Sequence, residues 1–331
     1  MAFDRDAWRA QVIEEAIEPE FSICDAHHHL IRSRNNSYML DDLIGDTATG
    51  HHVASTVFVE CGTSYRASGP DELRPVGETE FVDELAATAE AAGGTRVAAA
   101  IVAYADLRLG KAVRPVLEAH LAASGRFRGI RQSGAWDGSG EIPTHSIAPP
   151  GLYRDAAFRE GFACLVDLDL CFDAWLFHPQ LGDLADLAMA FPGARIVLNH
   201  AGGLLGVGPY ERQAEEAGWR RGIGRLAECP NVHIKLGGMT MPVYSGFGWH
   251  RRPGPPDSAQ LAEETGPYYR HCIERFGAER CMFESNFPVD KTSCSYAVLW
   301  NSFKLLSRDY SLRERQQLLC GTAERFYRIG H

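Results

Sequence analysis

Short apolar stretches alternate along the chain with segments in which apolar residues recur at helical spacing. The stretches are rich in β-branched and aromatic residues and end in polar loops, which is typical of strands buried in a parallel sheet. Eight of them are predicted as strands, at residues 21–30, 53–61, 96–104, 127–132, 170–177, 194–199, 231–237 and 280–287. Helices are predicted between and after them, at residues 38–46, 78–92, 113–124, 153–167, 180–191, 211–229, 259–276, 295–307 and 312–329.

This strict alternation of strands and helices predicts an α/β fold. Consecutive parallel strands need right-handed crossovers, and eight such units favour a closed barrel over an open, doubly wound sheet. No Gly-x-Gly-x-x-Gly motif follows the first strand, which counts against a dinucleotide-binding fold. We therefore expect a distorted (β/α)8 TIM barrel as a single domain over residues 21–331, preceded by an N-terminal helical arm at residues 1–20.

Composition and charge narrow the class of partner. The 331 residues are 45% hydrophobic and 23% charged, as in a globular protein with an ample core. The formal net charge of −10 argues against nucleic acid or an anionic membrane as the main partner, although a few local arginines could still bind an anionic substrate. The nine cysteines include no Cys-x-x-Cys pair, and the N-terminal stretch lacks the apolar core of a signal peptide. Both features favour a protein with reduced thiols in the cytoplasm.

The first predicted strand carries three consecutive histidines. With the two-residue period of a strand, Asp25, His27 and His29 point to one face, while His28 points to the other. Two imidazoles two residues apart can converge on one point, as a metal site or a proton-transfer site requires. We interpret His27 and His29 as functional residues rather than as part of a solvent-exposed turn.

Further polar residues lie where other predicted strands end. In a (β/α)8 barrel the carboxyl ends of the strands surround the active site. Histidines end the fifth and sixth strands, at His178 and His200, so that three strand ends carry this residue type. Arg131 ends the fourth strand and can bind a substrate anion or pair with a barrel carboxylate. Glu60 and Lys235 are interpreted as structural charges inside the barrel.

Seven motifs follow one another in a specific order and spacing, at Asp25–His29, Phe127–Arg131, Ala174–Leu181, Ile196–Gly203, Asn231–Gly238, Cys281–Asp290 and Gly321–Arg328. Together they resemble the amidohydrolase-related family of metal-dependent hydrolases with a TIM-barrel fold. That family includes sugar-acid and pyrone-dicarboxylate lactonases, as well as decarboxylases and hydratases. The resemblance extends from about residue 21 to residue 329.

The resemblance implies roles for individual residues. His27, His29 and His178 would be ligands of a divalent metal, Zn²⁺ or Mn²⁺, or polarising groups in metal-free members, so metal occupancy is left open. His200 would help to activate water or to polarise the substrate carbonyl. The aspartate that ends the eighth strand in the family, its usual general base, falls on Asn286.

This departure from the family pattern matters because the Asn286 amide cannot accept a proton at neutral pH. Either the base moves, to His200, Glu284 or Asp290, or the chemistry differs from the family's hydrolysis. We assign catalytic roles to His200, His178, Asn286 and Asp290, with the Asn286 amide orienting water or substrate.

The function favoured by the sequence is hydrolysis of a small carbonyl substrate, in the first place a lactone, by activated water at the carboxyl end of the barrel. Arg131 is expected to hold an acidic substituent of a carboxylated substrate. The wall of the substrate site is expected to contain aromatic residues of the long loops, namely Trp136, Tyr153, Phe247 and Trp249. Metal-dependent decarboxylation or hydration of an unsaturated acid is the alternative, and a non-catalytic binding barrel is a further one. A homodimer is left open, and neither nucleic acid nor a membrane is expected as a partner.

Overall fold

Eight parallel strands lie side by side in the order of the sequence and curl into a nearly closed barrel. This computed structural model describes residues 4–33, 37–144 and 148–330. The strands are β1 (Ser22–His28), β2 (His52–Val59), β3 (Arg96–Ala103), β4 (Phe127–Arg131), β5 (Cys171–Ala174), β6 (Arg195–Leu198), β7 (Val232–Leu236) and β8 (Cys281–Phe283).

Helices connect the strands, as right-handed parallel crossovers require. Within the described ranges they are α1 (Arg5–Arg9), α2 (Leu40–Thr47), α3 (Val76–Ala92), α4 (Arg114–Ala123), α5 (Ala156–Asp167), α6 (Leu181–Ala190), α7 (Arg212–Ala227), α8 (Ser258–Phe276), α9 (Tyr296–Leu306), α10 (Leu312–Gln316) and α11 (Thr322–Tyr327). The predicted TIM barrel is confirmed. From α2 to α9, the predicted helix ends lie within three residues of the observed ones.

Residues just beyond β8 close the seam between β8 and β1. The backbone N–H of Asn286 donates to the carbonyl oxygen of His27 at 2.8 Å, and the N–H of His29 donates to the carbonyl oxygen of Phe287 at 2.8 Å. The carboxyl ends of β1 and β8 therefore meet, which places the histidines of β1 beside the polar residues that follow β8.

The barrel interior combines small apolar side chains with a buried ion pair. Cys24 and Ala26 of β1 belong to an apolar cluster in the interior of the barrel, and Tyr327 of α11 belongs to the same cluster. The Nζ of Lys235 lies 2.7 Å from Oδ2 of Asp173, and the Tyr327 hydroxyl donates to that carboxylate at 2.9 Å. All three side chains are buried, so the positive and negative charges compensate each other away from water.

Two terminal segments differ from the predicted helices. Of the described residues of the N-terminal arm, 4–20, only Arg5–Arg9 form a helix, and several later backbone groups bind side chains of α9. The N–H of Ile17 donates to Oδ1 of Asn301 at 2.9 Å, for example. The C-terminal helix is interrupted at Gln317–Gly321 by a π-helical segment, which separates α10 from α11. Across the described ranges, no helix is long and apolar enough to cross a membrane.

The ion pair inside the barrel generates a prediction about stability. We expect Asp173→Ala to lower the free energy of unfolding by about 3–5 kcal/mol, because the Lys235 ammonium loses its buried partner. Asp169→Ala is the matched control, since the Asp169 side chain is 75% exposed and pairs with Arg195 at the surface. Urea denaturation of both variants measures the difference. Equal losses in the two variants would contradict the importance of the buried pair.

Candidate active site

The two functional histidines of β1 face each other at the carboxyl end of the barrel. Nε2 of His27 lies 3.3 Å from Nε2 of His29. Nδ1 of His29 lies 2.7 Å from the carbonyl oxygen of Val59, and Nδ1 of His27 lies 2.9 Å from Oε2 of Glu284. The Val59 carbonyl assigns the ring proton of His29 to Nδ1, so the unprotonated Nε2 of His29 faces Nε2 of His27. A cation shared by the two Nε2 atoms would satisfy this arrangement.

The geometry of this histidine pair fits a divalent metal. Two nitrogens bound to one tetrahedral zinc at about 2.0–2.1 Å are roughly 3.3 Å apart, as the two Nε2 atoms are. Burial, together with the nearby Lys235 ammonium, holds the pKa of His27 well below its usual range. Burial and Arg131 do the same for the pKa of His29. Both rings are therefore neutral, which is the form that binds a metal.

Two cations approach the histidine pair, and each has its own carboxylate. The Arg131 Nη1 lies 3.4 Å from Nε2 of His27, and Lys235 Nζ lies 3.3 Å from its Nδ1. Arg131 donates through Nε to Oε1 of Glu60 at 2.7 Å and also to the Glu60 carbonyl oxygen. Lys235 pairs with Asp173. These contacts agree with the interpretation of Glu60 and Lys235 as structural charges inside the barrel.

A buried carboxylate connects His27 to His200. Oε1 of Glu284 lies 2.7 Å from Nδ1 of His200 and accepts the His200 backbone N–H at 3.0 Å. One ligand atom from each of His27, His200 and Glu284 lies within 4.8 Å of the others. Burial raises the pKa of Glu284 to about 8, although Lys235 acts in the opposite direction. A buried carboxyl group with a shifted pKa beside an imidazole is typical of acid–base sites.

The amide of Asn286 is oriented by a second carboxyl group. Its Nδ2 donates to Oδ2 of Asp290 at 2.5 Å, while its Oδ1 has no hydrogen-bond partner among the described residues. Asp290 also accepts the Thr240 hydroxyl, and burial raises the pKa of Asp290 to about 7. Asn286 lines the central cavity and Asp290 lies behind it. Of the three alternative bases, only His200 contributes to the cavity wall that the structure describes.

A cavity of about 240 Å³ opens at this end of the barrel. Its polar wall includes His29, Arg131, His200 and Asn286, together with Thr144. The rest is mainly apolar and is formed by Ile31, Cys61, Pro143, Trp175, Phe177, Met241, Val243, Tyr244 and Val289. The volume suits a small molecule.

The aromatic residues that line this cavity are Trp175, Phe177 and Tyr244, and none of the four predicted ones is among them. The Tyr153 side chain is buried in the core, where its hydroxyl donates to the carbonyl oxygen of Gln132 at 2.9 Å. Trp249 is buried and stacks on Phe247 with ring centroids 4.2 Å apart. Trp136 is 43% exposed and is not part of the cavity wall. Long loops can fold back onto the core, so loop position alone does not identify a substrate contact.

The sequence did contain a signal for the true aromatic wall. Trp175 and Phe177 follow β5 directly and precede His178, so they also lie at a strand's carboxyl end. The Trp175 ring centroid lies 4.8 Å from that of His200 and 5.4 Å from that of Tyr244. A prediction based on histidines and charged residues at strand ends did not include these two aromatic residues.

The structure does not place His178 with His27 and His29. Both His178 ring nitrogens have protein partners: Nε2 lies 3.0 Å from Oε2 of Glu215, and Nδ1 accepts the N–H of Leu205 at 3.2 Å. His178 is also absent from the cavity wall. The ring of His178 turns from the barrel axis toward α7, so its predicted roles as metal ligand and catalytic residue find no support in this placement and stay predictions.

Comparisons with known proteins agree with the fold. Residues 24–329 match the family model described as Amidohydrolase. The chain is 32% identical over 295 residues to uncharacterized protein y4mH of Sinorhizobium fredii, covering 89% of this chain and 87% of that protein. It is 27% identical over 282 residues to an L-fucono-1,5-lactonase of Burkholderia ambifaria, covering 80% and 87% respectively.

A solved structure shares the architecture. An amidohydrolase from Burkholderia multivorans, crystallised with bound zinc, superposes with a TM-score of 0.71 at 24% sequence identity. The match covers 93% of this chain and 99% of that chain. At this level of identity the comparison establishes the fold.

A buried carboxyl group supports the loop beside the cavity. Glu78 on α3 accepts the backbone N–H groups of Cys61 at 3.1 Å and Thr63 at 2.8 Å. Burial, with an added contribution from Glu60, raises the pKa of Glu78 from 4.5 to about 8. Between these two values the folded protein binds more protons than the unfolded chain, so its stability falls as pH rises.

We expect Glu78→Gln to flatten the fall in unfolding free energy between about pH 5 and pH 8, because the amide accepts the same N–H groups without titrating. Urea denaturation at several pH values measures this slope. Glu80→Gln on the same helix is the control, since Arg66 at the surface lowers the pKa of Glu80. An unchanged slope in Glu78→Gln would show that Glu78 is not the titrating group.

Proposed function

Because the chain belongs to the amidohydrolase family, we propose that this enzyme hydrolyses a lactone at the carboxyl end of its barrel. The observation that carries the proposal is the His200–Glu284 pair, because His200 lines the cavity together with Asn286. Similarity to L-fucono-1,5-lactonases supports a lactone as the substrate. The reaction requires a proton acceptor and a group that orients water or substrate, and we assign these roles to His200 and Asn286.

His200 is the proposed general base and acid. Since Glu284 holds the Nδ1 side of the ring, proton transfer occurs at Nε2. The oxygen of water forms a bond to the lactone carbonyl carbon as Nε2 takes its proton. The bond between this carbon and the ring oxygen then breaks, and the ring oxygen receives the proton from Nε2 to give a hydroxy acid. The proton is returned within one cycle, so no other reactant is needed.

Asn286 has an orienting role in this scheme. Its Nδ2 donates to Asp290, which leaves Oδ1 as the free hydrogen-bond acceptor of a residue that lines the cavity. An acceptor there can hold a hydrogen of the attacking water or of a substrate hydroxyl. Asp290 thus acts through Asn286 and is a positioning residue.

His27 and His29 are the proposed holders of a divalent cation, Zn²⁺ or Mn²⁺. His200 and Glu284 each have a ligand atom within 4.8 Å of one of His27, in a group that does not include His29. A metal there would supply Lewis-acid polarisation of the lactone carbonyl or of water. The neutral state of both β1 imidazoles prepares them for this role. His178 has no place in the ligand set.

The charges around the cavity favour a neutral lactone. Among the described residues that line the cavity, Arg131 is the only arginine, and its guanidinium is already paired with Glu60. A carboxylate on the substrate would have to compete with Glu60 for it. The aromatic face formed by Trp175, Phe177 and Tyr244 instead suits the apolar face of a small ring.

We expect His200→Gln to lower kcat for the best lactone of a neutral sugar-lactone panel by about 10²–10⁴-fold, because proton transfer is lost. Hydrolysis is followed by the acid released at constant pH. His52→Gln, an exposed histidine at the amino end of β2, should leave the rate unchanged. Hydrolysis by His200→Gln at the wild-type rate would remove His200 from the mechanism. No turnover of any lactone by the wild-type enzyme would contradict the proposed function itself.

Metal content tests the assignment of His27 and His29 independently of activity. Inductively coupled plasma mass spectrometry of tag-free protein is expected to show about one divalent metal per chain. The metal should be lost in the His27→Ala/His29→Ala double variant and kept in His178→Ala. Wild-type protein that holds no metal even after reconstitution would contradict the site, and loss in His178→Ala would restore that residue as a ligand.

A further inference from the structure

His200 lies at the start of a left-handed turn. The backbone φ angles are +54° at His200 and +49° at Ala201, followed by +75° at Gly202 and +57° at Gly203. The left-handed region is unfavourable for residues with a Cβ atom, so the first two positions are strained. Such conformations persist where surrounding contacts hold them, and they occur frequently at functional sites.

Helix α7 contacts this turn through a buried tryptophan. The Trp219 Nε1–H donates to the carbonyl oxygen of Ala201 at 2.7 Å, and the Trp219 side chain is fully buried. The bond holds the middle of the turn, one residue after His200. A buried carbonyl that lost this donor would have to find another partner or shift.

The same face of α7 reaches the turn a second time through His178. Glu215 lies one helical turn before Trp219 and accepts from Nε2 of His178 at 3.0 Å. The His178 backbone N–H donates to the Gly203 carbonyl oxygen at 3.0 Å, and its Nδ1 accepts the Leu205 N–H at 3.2 Å. His178 therefore holds the end of the turn, while Glu215 fixes the tautomer that allows it to do so.

The turn has little freedom to move toward β5. A Cβ atom on Gly203 would clash with the carbonyl oxygen of Leu176, so the backbone packs closely against the segment that follows β5. On the other side, Gly238 leaves room for His200, because a Cβ atom there would lie 2.6 Å from the His200 Cβ atom. Small displacements of the turn would therefore move the His200 ring directly.

We propose that Trp219, Glu215 and His178 form a turn brace, whose function is to hold the strained left-handed turn so that His200 keeps its catalytic orientation. These three are positioning residues, and the inference rests on the proposed role of His200. It gives His178 a function that differs from metal binding. It also assigns a role in catalysis to a helix on the outside of the barrel.

Trp219→Phe tests the brace, because it removes the indole N–H and keeps an aromatic ring. Amide hydrogen exchange of residues 202–205 should become about tenfold faster, and kcat should fall by about tenfold with little change in KM. Trp300→Phe is the matched control, since Trp300 is equally buried but lies on α9, away from the turn. The control corrects for the loss of core volume, which both variants share.

The two readouts separate this proposal from the proposed function. Faster exchange at the turn in Trp219→Phe but not in Trp300→Phe supports the brace even if no lactone is hydrolysed. Equal exchange in both variants, or a change in KM alone, would overturn it.

Glu215 provides a second test by conservative rescue. Glu215→Ala should reduce kcat and accelerate exchange at Leu205, because His178 loses the acceptor that fixes its tautomer. Glu215→Gln should restore both properties, since its amide oxygen can accept from Nε2 of His178. Identical behaviour of the two variants would contradict a role for this hydrogen bond.

Discussion

The site depends above all on the carboxylate of Glu284, which touches His27 with one oxygen and His200 with the other. It comes from the residue after β8 and is fully buried. Two glycines after β7 make this contact sterically feasible: a Cβ atom on Gly237 would clash with the Glu284 side chain, and one on Gly238 would clash with His200. One side chain thus joins three strand ends, and the two glycines leave the room that this side chain and His200 need.

Every cation that approaches this carboxylate has a second acidic partner. Lys235 is neutralised by Asp173, and Arg131 is neutralised by Glu60. Buried charges are costly unless they are paired, and each of these pairs spans the barrel between strands separated by one other, β5 with β7 and the end of β2 with β4. Because of these two ion pairs, the cations can lie beside neutral imidazoles while the substrate cavity carries little net positive charge.

The sequence was sufficient to predict the fold, because alternating strands and helices leave few topologies open. It also placed His27, His29, His200 and Asn286 at one end of the barrel, where the structure has them, since strand ends follow from the topology. The partner of each side chain could not be read in the same way. Whether the His178 ring turns toward the axis or toward α7, and whether Tyr153 enters the cavity or the core, depends on packing between segments distant in sequence. The same holds for the choice of Arg131 between a substrate and Glu60.

One interior contact has a consequence for how the chain reaches its final state. Tyr327 of α11 follows all eight strands along the chain, yet its hydroxyl binds Asp173 in the middle of the barrel. During synthesis this residue leaves the ribosome after every strand. The central ion pair can therefore receive this hydrogen bond only after α11 has been synthesised, so completion of the barrel interior depends on a segment that follows the whole sheet.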